Sequence, residues 1–381
     1  MSIEPFRIAV SQERLDWIGR RLRDAQWPTP SAGDPWAIGT SDAAMRELVD
    51  YWLTRYDWRV REARMNALPQ FIAEVPGDGR DWRVHFIHVP GKGPAPKPVM
   101  MIHGWPGSFV EFMDVIGPLT DPAAHGGKAE DAVTLVIPSL LGYGFSSKPS
   151  APVGPRTIAR AFAAVMRELG HHNYIAQGGD WGSSVSGWLG YEAPACKAVH
   201  LNFTFGWSAA DALPETDEEN AAMARLADVW RTEGAYMAVQ STKPRSLAYA
   251  MMDSPLGVAA WIVEKFHGWS PLLPTNMWDA FSRDQVLDNI MIYLVTGTFD
   301  TASWLYRGVF DEPVPAGARV EKPTAIANFP GELAAYPRSL VEKSFNVVRW
   351  TEMPRGGHFA AMEAPADFVA DIQAFARDVR F

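Results

Sequence analysis

Cysteine is almost absent: Cys196 stands alone among 381 residues. A lone cysteine forms no intrachain disulfide, so nothing marks the chain as a cross-linked secreted protein. Its mostly apolar surroundings, Ala193 to Val199, read as the site of a small buried hydrophobe beside a strand. Positive charge is also scarce. The formal net charge is −9, and lysine and arginine never run beyond a doublet. That balance argues against the concentrated basic face a nucleic-acid partner requires and disfavours attraction to an anionic membrane surface. Long hydrophobic runs are missing too, and none approaches the ~20 residues that span a bilayer. Met1 to Pro5 shows no basic stretch followed by an apolar core, so a secretory leader is not expected. No cysteine–histidine cluster has metal-ligand spacing, and His171-His172 reads as an isolated surface pair. The expectation is a cytoplasmic protein with no metal and no cofactor.

What the chain does have is apolar and aromatic mass. Hydrophobic residues make up 47%, enough for a sizeable core, and the aromatic content is high at 12%, with 16 tryptophans, much of it core. Some of them are available to line an apolar pocket.

The first ~75 residues read as a helical arm. Ser11 is placed to cap a helix carrying Leu15, Ile18 and Leu22. Ser41 is placed to cap a second with Met45, Leu48, Val49, Trp52, Leu53 and Tyr56 on one face. The period then changes. Trp82 to Val89 alternates as a strand, and Val99 to Ile102, Val133 to Ile137 and Tyr174 to Gln177 are short apolar strands. Between the last two lies a helix that Thr157 is placed to cap and Gly170 to close. Strands alternating with helices imply a mostly parallel sheet covered on both faces. From about Phe205 to Ala318 the strands stop. Thr216 with Glu219, and Ser282 with Gln285, have capping-box spacing, so this stretch reads as an all-helical insertion. Strands return at Thr324 to Phe329 and Asn346 to Trp350, before a final helix from Pro365 to Val379. The expected division is an arm at 1–75, an α/β core at 76–204, a helical cap at 205–318 and the rest of the core at 319–381.

Chemistry concentrates at a few turns. Gly178-Gly179-Asp180-Trp181-Gly182 has the form of a nucleophile elbow, with aspartate where esterases carry serine. Alone, an aspartate capping a helix after a strand explains it equally well. Three further segments tip the balance. His103-Gly104-Trp105-Pro106 ends an earlier strand, so the backbone amides of Trp105 and Trp181 are candidates for an oxyanion hole, with His103 itself structural. Gly356-Gly357-His358-Phe359 follows the last strand, and Glu332 follows the strand before it; Asp311 and Glu312 precede that strand and are poorer acid candidates. The order nucleophile, acid, histidine is that of the α/β-hydrolase fold.

These motifs, with HGWPGSFVEF at 103–112, GYGFS at 142–146, STKP at 241–244, DSPLG at 253–257 and TGT at 296–298, resemble the microsomal and juvenile-hormone epoxide hydrolase family. The resemblance runs over nearly the whole chain, the N-terminal arm included, and is similar to a soluble bacterial branch. It implies an α/β-hydrolase fold with an inserted helical cap and a helical arm. It also implies two cap tyrosines that hydrogen-bond an epoxide oxygen, and these fall on Tyr236 and Tyr306; Tyr249 and Tyr293 are the other cap tyrosines noted. The expected activity is hydrolysis of an apolar epoxide to a vicinal diol, a hydrolase reaction on an ether bond. Asp180 is the expected nucleophile, and His358 with Glu332 the base and its orienting acid. An aspartate suits attack on an sp³ carbon because it is already anionic near neutral pH. A haloalkane dehalogenase would share Asp180, His358 and the acid but needs N–H donors for halide, and a non-catalytic binding protein would usually lack a triad member. A small apolar epoxide is the expected partner, with a homodimer left open.

Overall fold

The computed structural model describes residues 2–77, 79–204, 207, 213–270 and 277–381. Among them runs one nine-stranded sheet, formed by β1 (Ser2–Phe6), β2 (Gln70–Pro76), β3 (Asp81–Val89), β4 (Lys97–Ile102), β5 (Val133–Pro138), β6 (Tyr174–Gly178), β7 (Cys196–Leu201), β8 (Val320–Asn328) and β9 (Phe345–Glu352). Its order is β1-β2-β3-β5-β4-β6-β7-β8-β9. Pairings from β1 to β5 are antiparallel, and those from β5 to β9 are parallel. The central strands β4, β5 and β6 are almost wholly buried, as expected where helices cover both faces.

Two strands were not anticipated. β1 and β2 lie at the limits of the segment expected to be purely helical, and they pair with each other to extend the sheet. β1 is a half-exposed edge with a proline at position 5, so its sequence carries little of the apolar alternation that advertises a strand. Between them lie helices Gln12–Arg23, Asp42–Thr54 and Trp58–Met65, the first two capped by Ser11 and Ser41 as expected. A second correction concerns Thr157. The helix runs Pro155–Glu168 with Gly154 at its N-cap, and the Thr157 hydroxyl bonds to Glu312 instead. Proline at the first helical position replaces the side-chain cap.

The expected cap boundary at Phe205 falls outside the described residues. Among the described residues of this segment, every regular element is a helix. Thr216 and Ser282 both form complete capping boxes, at helices Asp217–Glu233 and Arg283–Thr296. The arm packs on this layer through helices Pro255–Gly268 and Arg283–Thr296. Arg61 grips the buried Asp288 through Nε at 2.9 Å and Nη2 at 2.6 Å, and Tyr56 donates to the same carboxylate at 2.8 Å. A buried charge held this way is costly to break, so the arm acts as a brace on the cap. No described helix is long and apolar enough to cross a membrane.

Candidate active site

The site lies at the carboxyl ends of the parallel strands, where an α/β sheet opens a crevice. β6 ends at Gly178, and Asp180 turns the chain into helix Trp181–Glu192. Asp180 is the single non-glycine residue with positive φ among those described, at φ 45° and ψ −130°. Such a conformation costs on the order of 1–3 kcal/mol and persists only where the surroundings enforce it. The flanking glycines make it possible. A Cβ on Gly182 would lie 1.9 Å from the carbonyl oxygen of Ile102 in β4, and one on Gly178 would lie 2.2 Å from that of Gly182. The turn is therefore packed directly against the neighbouring strand end.

That packing sets the Asp180 carboxylate against the β4 loop. Asp180 Oδ1 accepts from the backbone N–H of Trp105 at 2.8 Å and of Trp181 at 2.7 Å. These are the two amides singled out as oxyanion donors. Asp180 Oδ2 faces His358 Nε2 at 3.5 Å. On the other side of that ring, His358 Nδ1 lies 3.0 Å from Glu332 Oε2 and 3.2 Å from Oε1. Asp180, His358 and Glu332 thus come together from turns after β6, β9 and β8. Asp311 stays on the exposed surface and Glu312 binds the Arg156 and Thr157 amides, so neither competes with Glu332. His103 is structural: its Nε2 accepts from Leu140 N at 3.2 Å, which leaves Nδ1 to donate to the Gly104 carbonyl at 3.0 Å. Burial pushes its pKa down to about 4.

Two cavities meet at Asp180. The first is aromatic, lined by Tyr236, Tyr306, Trp181, Trp269, Phe203 and Met237 with Asp180 and His358. Tyr236 lies on helix Ala235–Thr242 and Tyr306 on Leu305–Gly308, and these two helices pack together. Tyr236 stacks on Trp105 with ring centroids 4.9 Å apart and planes 9° apart, while Tyr306 stands edge-on to Trp181 at 4.8 Å. The Tyr306 hydroxyl is buried and makes no hydrogen bond of good geometry among the described residues. Burial, then the charge of Asp180, raises the Tyr236 pKa well above the ordinary phenol value. Burial, then Tyr236 and Asp180, does the same for Tyr306. Both phenols are therefore proton-bearing donors. The other cap tyrosines are elsewhere: Tyr249 is exposed, and the Tyr293 hydroxyl donates to the Gly107 carbonyl at 2.7 Å.

The second cavity is more polar, with Glu111, Asn202, His103, Asp180 and His358 in its wall. Sequence reasoning missed Glu111 and Asn202 as site residues, although Glu111 lies inside the 103–112 motif. The Glu111 carboxyl fills the space above Gly107, where a Cβ would lie 1.3 Å from Oε1. Burial, with help from the Asp180 charge, pushes its pKa up to about 8. Lys265 was also missed, a buried lysine whose ammonium sits 4.8 Å from the centroid of the Tyr236 ring. Its signal is one Glu-Lys step in the otherwise apolar run Pro255 to Phe266. Among the described residues, no group of three or more candidate ligands is placed to hold a metal ion.

Comparison with known proteins agrees with this architecture. Residues 3–112 match the family model described as the epoxide hydrolase N terminus. Residues 97–242 match that of the alpha/beta hydrolase fold. A juvenile hormone epoxide hydrolase 2 from the flea Ctenocephalides felis is 34% identical over 404 residues, covering 97% of this chain and 84% of the relative. The chain belongs to the epoxide hydrolase family. A bacterial member from Stigmatella aurantiaca, whose name assigns it only provisionally to the epoxide hydrolases, is 40% identical over 388 residues, or 99% of this chain and 86% of that one. The solved epoxide hydrolase of Aspergillus niger superposes with a TM-score of 0.85 at 30% identity, over 100% of this chain and 97% of the other. These family matches span the arm as well as the first part of the hydrolase core.

Proposed function

We propose that the protein hydrolyses an apolar epoxide to a vicinal diol through an alkyl ester on Asp180. The observation that carries this reading is the two-sided placement of the Asp180 carboxylate. Oδ1 rests between two amides, and Oδ2 is turned to His358 and the phenol-lined cavity.

In the first step, Oδ2 attacks an epoxide carbon. The carbon–oxygen bond breaks, and its electron pair goes to oxygen. Tyr236 and Tyr306 donate to that oxygen, which would otherwise be a poor leaving group. In the second step, His358 takes a proton from water, and the water oxygen attacks the ester carbonyl carbon. The carbonyl oxygen is Oδ1, already seated on the Trp105 and Trp181 amides, so the oxyanion forms without reorganisation. The polar cavity holding Glu111 and Asn202 gives this water a place apart from the apolar substrate.

The charge state of His358 couples the two steps. Burial would lower its pKa, but Glu332 and Asp180 outweigh that effect and raise it well above the ordinary imidazole value. Esterification removes the Asp180 charge, so one of the two supports of the imidazolium disappears. His358 then yields its proton more readily, which supplies the one the alkoxide requires and leaves a neutral base for water. Proton transfer from water restores the imidazolium. The tetrahedral intermediate then breaks its Cγ–Oδ2 bond, Oδ2 leaves with the diol and takes the proton of the newly added hydroxyl, and the Asp180 carboxylate is regenerated, so the cycle balances. A haloalkane dehalogenase would use the same acid–base pair, but two phenols converging above the nucleophile suit a basic oxygen leaving group.

Oxygen tracing tests covalent catalysis. With enzyme in excess over styrene oxide in ¹⁸O-water, the first-turnover diol should carry almost no label, and the Asp180 peptide should gain it. A labelled diol with an unlabelled Asp180 would mean direct attack by water and would overturn the scheme.

A further inference from the structure

Lys265 lies on helix Pro255–Gly268, and its side chain is buried. Its Nζ is 2.6 Å from Glu264 Oε2 and 3.7 Å from Glu233 Oε2. The same ammonium sits 4.8 Å from the centroid of the Tyr236 ring and 5.6 Å from that of Trp269. Burying a lysine is expensive and needs partners. The two glutamates supply the charge balance, and each keeps a quarter or more of its side chain exposed, at 25% for Glu264 and 29% for Glu233. An ion pair of that kind is easily made at the surface without any ring beneath it. Here it is drawn inward and held over a phenol whose hydroxyl belongs to the substrate cavity.

We propose that Lys265 is a positioning residue for epoxide opening, its ammonium polarising the Tyr236 ring so that the hydroxyl becomes a stronger donor to the leaving oxygen. This rests on the role assigned above to Tyr236. As the epoxide carbon–oxygen bond breaks, negative charge builds on that oxygen and, through the shared proton, on the phenol. The carboxylates of Asp180, Glu332 and Glu233 all oppose negative charge on Tyr236. A cation against the ring face acts in the opposite sense, and burial spares it the screening that weakens such contacts at exposed sites. Once the ester has formed, the attack of water on Asp180 places its charge on the two backbone amides, away from this ring. The influence of Lys265 is therefore confined to the first half-reaction.

The test follows both half-reactions by rapid mixing with styrene oxide, using quenched-flow mass spectrometry to count the Asp180 ester. Lys265→Met keeps the apolar stem and removes the charge, Lys265→Arg keeps the charge, and each is compared in wild-type and Tyr236→Phe backgrounds. Lys265→Met should slow ester formation about tenfold and leave ester breakdown unchanged, Lys265→Arg should recover most of the rate, and in the Tyr236→Phe background Lys265→Met should add no further loss. An equal loss in both backgrounds, an equal slowing of both half-reactions, or an unchanged ester-formation rate in folded Lys265→Met would overturn the inference. If Tyr236→Phe itself forms ester at the wild-type rate, the assigned role of Tyr236 fails and this inference falls with it. If Tyr236→Phe is slow and Lys265→Met is not, the lysine inference alone fails. Should Lys265→Met not fold, Lys265→Gln with Glu264→Gln removes both charges of the tight pair and carries the same comparison.

Discussion

Two buried histidine–carboxylate pairs, alike in geometry, differ in what lies beyond the imidazole. In one, His358 Nδ1 is 3.0 Å from Glu332 Oε2. In the other, His200 Nε2 is 3.0 Å from Asp371 Oδ2. His358 turns its second nitrogen to Asp180 Oδ2 and lines both cavities. His200 sits in β7 against Phe368 and Phe375, and its second nitrogen is buried without a hydrogen-bond partner among the described residues. The carboxylates differ as well. Asp371 is also bound by Arg349 at 2.8 Å and Thr351 at 2.8 Å, whereas Glu332 has His358 and a long 3.4 Å contact from Ala334 N. A saturated carboxylate locks its histidine into the packing. A carboxylate given mainly to one imidazole orients it and supports its charge. The pair becomes chemistry only where the free nitrogen reaches reacting atoms.

The sharpest break between the two pairs comes from removing each histidine's capacity to move a proton. His358→Gln should still form the ester, with solvent supplying the alkoxide proton in place of the imidazolium, but fail to hydrolyse it, cutting turnover by roughly 10²–10⁴-fold. Intact-protein mass spectrometry after mixing with styrene oxide should show nearly every molecule heavier by one substrate mass. An inactive His358→Gln that carries no adduct would move His358 out of the second step and erase the distinction from His200.

The two cap phenols come next in size. Tyr236→Phe and Tyr306→Phe each remove one donor to the leaving oxygen, and each loss should slow ester formation by ~10²–10³-fold. The double variant should be slower than either single, though the losses need not add, because both groups act on one atom. Ester breakdown should be nearly unchanged, the reverse of His358→Gln. If both singles form ester at the wild-type rate, the phenols serve packing alone.

The contrast between the pairs also shows what a sequence can display. His358 sits in Gly356-Gly357-His358-Phe359 after the last strand, an exposed-looking loop position that demands a reason. His200 is embedded in the apolar run Ala198 to Leu201 and reads as core. The Asp180 elbow was legible because its glycines answer a local steric need, the close approach of Gly178 to the Gly182 carbonyl. The capping boxes at Thr216 and Ser282 were legible for the same reason, since each is complete within four residues. Periodicity did not single out Tyr236 and Tyr306 from the other cap tyrosines; only the family resemblance did, because their convergence depends on how two short helices pack. Glu111 and Lys265 owe their places to tertiary contacts, one with Gly107 and one with the Tyr236 ring, which no spacing encodes. β1 was hidden because an edge strand owes its form to its partner β2 and not to its own pattern.

The smallest expected effect on turnover belongs to the other pair, and it is the one that makes the comparison strict. Asp371 accepts from His200, Arg349 and Thr351. Burial pushes its pKa up, but those bonds and the His200 charge outweigh it, so the carboxyl is held well below the ordinary carboxylate range. A carboxyl whose folded-state pKa lies below its unfolded value, near 4, stabilises the fold at pH above that value. The contribution fades as pH falls from about 4 toward the folded-state pKa. Asp371→Asn should therefore lower unfolding free energy by about 3 kcal/mol at neutral pH, the usual cost of breaking a buried ion pair from one side. In urea titrations the gap between wild type and variant should narrow below about pH 4, because the wild type loses there what the variant never had. Turnover per folded molecule at neutral pH should stay at the wild-type level, since neither Asp371 nor His200 borders either cavity. A folded Asp371→Asn with much reduced turnover would show that this pair, too, communicates with Asp180, and that burial against aromatic rings does not by itself keep a histidine–carboxylate pair silent.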